Sequence, residues 1–176
     1  RGVWEVGTPN VEGGPGAPQS GSSCIGTLLT AEYPKHHSSR LVSPFFEVPA
    51  DRARLRFWQW LNCHSGDLGT VWIRQRDADV WTKIGEDTPT DTYGVWAPVT
   101  LDLSRFAGTE VELSFLFNAT SGYRDAGWFL DGIQIESGDY EFDDFAQDWE
   151  GDWDGWHAAR GVWEVGTPNV EGGPGA

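Results

Sequence analysis

Between residues 110 and 119 the chain alternates. Val111, Leu113, Phe115 and Phe117 fall on one side, and Glu112, Ser114 and Asn118 on the other. A period of two marks a strand with one buried face, and no segment carries the three-to-four spacing of an amphipathic helix. Further strand signals lie at 3–6, 40–48, 52–63, 70–76, 80–84, 96–103 and 127–136, separated by turn material such as HSGDLG, GEDTPTDTYG and TSGYRDAG. Pro44 sits inside the 40–48 run, so that strand should be an edge, bulged or broken one. Two segments are not strand-like: the Gly/Pro/Ser-rich stretch 10–23 and the polar stretch 32–39 with His36 and His37. Many short strands, with 11 Trp, 9 Phe and 4 Tyr to fill a core, predict an all-β, two-sheet antiparallel sandwich of jelly-roll type.

Charge narrows the function. A net charge of −15 argues against a nucleic-acid partner. No run of about 20 apolar residues is present to serve as a membrane-spanning helix. The stretch from Gly138 to Trp156 holds eight acidic residues and no Lys or Arg, which reads as a solvated face or as a divalent-cation site. Cys24 and Cys63 allow one bridge, expected in an exported protein; two buried free thiols are the other reading. His36, His37, His64 and His157 belong to no HExxH motif, and no Gly-x-Ser-x-Gly elbow occurs, so catalysis is not expected.

The string RGVWEVGTPNVEGGPGA occupies residues 1–17 and recurs without a mismatch at 160–176. Self-similarity at a fixed spacing is the mark of tandem units. The chain then reads as one unit, residues 1–159, followed by the start of the next.

The order WEVGTP, SGSSCIGT, RLVSP, LRFWQW, VTLDLSRFAGTEVELSFLF and GWFLDGI resembles the MAM-like jelly-roll modules of bacterial exported proteins. These modules occur beside immune inhibitor A peptidases, in cleaved-adhesin domains and in large surface proteins. The most specific pieces are Leu101-Asp102-Leu103-Ser104 with Phe106-Ala107-Gly108, and Gly127 to Ile133. The resemblance implies an extracellular or cell-surface bacterial location. It also implies a permuted module. The family's opening strand is matched here by Phe142-Asp143-Asp144-Phe145, so residues 1–137 form the jelly-roll body and 138–176 an acidic opening-strand segment with the start of the next repeat. Asp67 and Asp131 are similar to positions that help hold structural Ca²⁺ in related jelly rolls, and Asp143 and Asp144 would complete the shell. Where the family places a second Asp after Asp131, this chain has Gly132.

Arg56, Trp58 and Trp60, with Trp72 and Arg74 on the following strand, suggest an outward Arg/Trp face that packs within the sandwich, against another copy, or on sugar rings. Trp4, Phe142, Phe145, Trp149, Trp153, Trp156 and Trp163 are the expected repeat-junction residues. The function read from the sequence is a structural repeat of a giant exported protein or filament, self-associating head to tail through strand complementation. The alternatives are a calcium-dependent carbohydrate-binding adhesin module and an accessory domain of a secreted peptidase.

Overall fold

The computed structural model describes residues 2–138, 141–147, 150 and 155–158, with residues 141–147 and Ala158 described through their backbone. The strands are β1 (Trp4–Gly7), β2 (Cys24–Thr27), β3 (His37–Val42), β4 (Phe46–Glu47), β5 (Arg54–Asn62), β6 (Leu68–Gln75), β7 (Thr82–Ile84), β8 (Ala97–Asp102), β9 (Glu110–Ala119), β10 (Gly127–Ser137), β11 (Glu141–Gln147) and β12 (His157–Ala158). They build two antiparallel sheets, confirming the sandwich. The first runs β1-β2-β10-β5-β8, with β11 also on β10; the second runs β12-β3-β9-β6-β7, with β4 also on β9.

Pro44 acts as expected: the strand breaks between Val42 and Phe46, and both pieces pair with β9. The stretch CIGT was not expected as a strand, yet it forms β2, and β3 begins at His37 inside the stretch expected as loop. The connection from β5 to β6 crosses from the first sheet to the second. That crossing corrects one expectation. Arg56, Trp58 and Trp60 lie on the outside of one sheet, Trp72 and Arg74 on the outside of the other, so they form two faces and not one.

Between the sheets, Leu55, Phe57, Leu61, Trp128, Leu130, Ile133 and Ile135 meet Leu41, Val71, Ile73, Val111, Leu113, Phe115 and Phe117. The alternation of β9 thus places its odd-numbered residues in the core. Phe57 and Phe115 meet edge to face at 5.2 Å, and Trp128 lies 5.8 Å from both Trp4 and Phe115. Buried Trp128 donates its indole N–H to Gln59 Oε1 at 3.1 Å, so its one polar atom is satisfied inside the core. Gly69 of β6 lets that ring in: a Cβ there would sit 2.5 Å from the Trp128 ring.

β10 carries β5 along one edge. Its other edge is shared, with β2 at Phe129–Leu130 and β11 from Ile133 to Ser137. The expected opening strand therefore pairs with its own chain. Gly69→Ala should cost about 1–3 kcal/mol in chemical denaturation, because the buried indole has nowhere to retreat; unchanged stability would mean that the ring is not so confined.

Candidate functional site on the outer face of the first sheet

Strand alternation turns Arg54, Arg56, Trp58, Trp60 and Asn62 of β5 outward, beside Phe129, Asp131, Gln134 and Glu136 of β10 and Pro98, Thr100 and Asp102 of β8. Half of this face is roofed. The Gly/Pro/Ser-rich segment 8–23 crosses it and closes a second apolar cluster of Val11, Cys24, Leu29, Trp60, Ala126 and Phe129, with Trp96 packed at its margin. Trp60 and Phe129 meet edge to face at 5.6 Å.

A segment so poor in regular structure must be held by specific bonds. Asn62 donates its side-chain amide to Gly13 O (3.1 Å), and Trp96 its indole N–H to Ala17 O (3.2 Å). The backbone N–H groups of Gln19 and Ser20 both donate to Asp131 Oδ2, at 2.9 and 3.0 Å. Glu150 accepts from Ser22 N, Ser22 Oγ and Ser23 N, so the acidic segment after β11 reaches back to grip the same loop. Asp131 also accepts from Gly132 N at 2.7 Å. Gly132 has φ of +55°, at the point where the β10–β5 register shifts. The residue that departs from the family pattern is thus one whose backbone favours glycine. Burial raises the Asp131 pKa above its ordinary value, with Glu150 adding to it, against the lowering effect of the three N–H donors.

The unroofed half is a shelf. Trp58 is half-buried between Pro98 and Asp131 in the sheet register, and Arg56 lies between Thr100 and Gln134. Arg54 and Arg56 both donate to Glu136, at 2.8 and 3.2 Å. Burial pushes the Glu136 carboxyl up, but the two guanidinium groups outweigh it and hold its pKa below the ordinary value. Arg56 keeps 37 % of its side chain exposed.

The other expected site residues fall elsewhere. Trp72 donates to Thr70 Oγ1 (2.7 Å) on the outside of the second sheet. Arg74 pairs with Glu112, and Arg74 and Arg40 both lie over the Trp81 ring, at 5.0 and 4.8 Å. Asp67 is buried, accepting from Tyr33 Oη, Thr120 N, Ser121 N and Ser121 Oγ at 2.6–2.8 Å, and Tyr33 Oη in turn accepts from His64 N. Burial raises its pKa, but these donors prevail and the net shift is downward.

Asp67 and Asp131 therefore anchor different loops and share no partner. Among the described residues no three His, Cys, Asp or Glu side chains gather into a metal site. Asp143 and Asp144, like Phe142 and Phe145, lie in β11, whose side chains are outside the described residues, as are Trp149, Trp153 and Trp163 altogether. Trp4 is fully buried, and Trp156 packs 6.1 Å from Phe115.

The expected disulfide is corrected. Cys24 and Cys63 are both buried free thiols. Cys24 sits in the outer cluster under the loop and Cys63 in the core between the sheets, so the first sheet separates them. Burial, helped by Asp131 and Glu150 at Cys24 and chiefly by Asp67 and Asp125 at Cys63, drives both thiols well above their ordinary pKa. Neither is a nucleophile in this state.

No family model matches the chain. Bacillopeptidase F of Bacillus subtilis (strain 168) is 26 % identical over 134 residues, which is 75 % of this chain and 9 % of that protein. The chain thus spans less than a tenth of that relative's length. Solved structures are also similar at low identity, two of them as follows. TmCBM61, in complex with beta-1,4-galactotriose, is 14 % identical, with 77 % of this chain and 83 % of that one covered and a TM-score of 0.49. The K3 cleaved adhesin domain of Lys-gingipain from Porphyromonas gingivalis W83 is 18 % identical, with 78 % and 93 % covered and a TM-score of 0.43.

Asp67→Ala should cost about 3 kcal/mol at pH 7, since it strands several buried donors. Asp131→Asn should cost about 1 kcal/mol, because one amide oxygen can still accept from Gln19 and Ser20. Equal losses in urea titrations would contradict this ranking. The lowered Asp67 pKa means that its contribution is present above the ordinary carboxylate range and fades as pH falls through it. The Asp67→Ala variant should therefore lose less stability between pH 5 and pH 3 than the parent.

Proposed function

We propose that this chain is a non-catalytic β-sandwich unit repeated along a larger exported protein at the bacterial surface, where it sets spacing and carries adhesion. The observation that carries this reading is the recurrence of residues 1–17 at 160–176, combined with β11 pairing to β10 of its own chain. A unit that fills its own sheet needs no strand from a neighbour, so head-to-tail continuity is covalent in this reading. The match to a small fraction of a much longer relative supports a module within a larger protein. Negative-stain microscopy of the native parent protein should show regularly spaced globules along a thread. Isolated particles with no repeat would contradict the reading.

A second reading concerns the shelf. A half-buried Trp58 beside Arg56, Pro98 and Thr100, on a rigid sheet walled by a pinned loop, suits the stacking of a sugar ring. Structural Ca²⁺ is not required by either reading; a melting temperature raised by CaCl₂ and restored by EDTA would add it. On a glycan array the chain should bind at least one glycan class, and Trp58→Ala should abolish that binding with little loss of stability. No binding by the parent chain removes this reading and leaves the first untouched.

A further inference from the structure

The chain holds two copies of one seventeen-residue segment, and the described residues show one place for it. The place is well defined where the first copy fills it. Trp4 is fully buried against Trp128, β1 pairs with β2 from Trp4 to Gly7, and Val11 lies in the outer apolar cluster. Farther along, Gly13 O accepts from Asn62 and Ala17 O from Trp96. Every one of these contacts is made by a residue that recurs, with the same identity, in 160–176.

The second observation is where the tail ends up before the second copy begins. β12 pairs with β3 through His157 to Val42 and Ala158 to Leu41. Two residues farther back along β3, Ser39 Oγ accepts from Val3 N at 3.3 Å. The first copy therefore enters the sandwich beside Ser39, and Ala158 of β12 lies beside Leu41. The counterpart of Val3 is Val162, four residues beyond Ala158. Four residues reach about 13 Å, whereas two residues of strand cover about 7 Å. The tail can thus run from β12 straight into the place that residues 2–17 occupy, and the sheet order is unchanged.

We propose that residues 160–176 are an alternative occupant of the β1 slot, exchanging with residues 1–17 within the same chain. In the alternative state β12 leads directly into β1, the body begins at residue 18, and the first copy is released as a free strand. The clamp on Gln19 and Ser20 by Asp131, and the grip of Glu150 on Ser22 and Ser23, lie outside the duplicated segment. They hold the acceptor together whichever copy is bound. The partner of the slot is thus a second copy of the same sequence, and the exchange makes and loses the same contacts.

The test uses the full chain. Trp163→Ala alone and Trp4→Ala alone should each lower the thermal midpoint by no more than a few degrees, because the intact copy takes the slot. The double variant, with no intact copy, should fall by about 10 °C or more, the usual consequence of truncating a buried tryptophan in a chain of this size. A Trp4→Ala variant that falls as far as the double variant overturns the proposal. A second measurement does not depend on those variants folding. In Ser39→Cys chains, a cysteine at Val3→Cys or at Val162→Cys should each form a bridge to position 39 under mild oxidation, detected by peptide mass on monomeric protein. The buried native thiols stay out of the reaction. A bridge from position 3 with none from 162, or one from 162 only in linked dimers, contradicts exchange within the chain.

Discussion

The fold depends on the contact between Phe115 and Trp128, one ring from each sheet. Around this pair the chain brings residues from opposite ends of its sequence: Trp4 lies against Trp128, Phe57 and Trp156 against Phe115. Five aromatic rings at the centre of a two-sheet core bury a large area and fix the spacing of the layers. They also explain why Gly69 has no side chain and why Gln59 lies in an otherwise apolar interior. Because Trp156 enters this cluster, the acidic segment after β10 is not a separate appendage. It closes the first sheet with β11, grips the 8–23 loop through Glu150, and reaches the second sheet as β12.

Polar anchoring has a similar logic on the periphery. Two long connections with almost no regular structure are each tied to one buried carboxylate. Asp67 gathers Tyr33, Thr120 and Ser121 at one end of the sandwich, and Asp131 gathers Gln19 and Ser20 on the outer face. Their environments differ. Asp67 is surrounded by enough donors to favour its charged form, whereas Asp131 is held nearer to its neutral form by burial and by Glu150. Sequence alone does not reveal these partners, which lie 34 to 112 positions away along the chain.

What was legible in the sequence is what periodicity encodes. The alternation of β9 assigns each of its core residues, and Pro44 marks the break between β3 and β4. Periodicity says which residues of one strand share a side; it does not say which sheet the strand joins. That is why β5 and β6, adjacent in sequence, suggested one Arg/Trp face when the chain crosses between sheets to make two. The same limit governs the cysteines, whose separation by the first sheet depends on long-range pairing. CIGT was too short and too glycine-containing to declare itself as β2. Glu136, which binds both Arg54 and Arg56, was missed because its partners are set by the β10–β5 register, visible only once the sheet is assembled.

The acidic tail completes the sandwich of its own chain. Amide hydrogen exchange on dilute, monomeric protein reads this closure out. Peptides covering 141–147 and 155–158 should be protected far beyond the rate of the exposed 122–125 stretch, at every concentration used. Exchange of those two peptides at loop rates in the monomer, with protection appearing only as the chains associate, would mean that the tail completes a neighbour's sandwich instead.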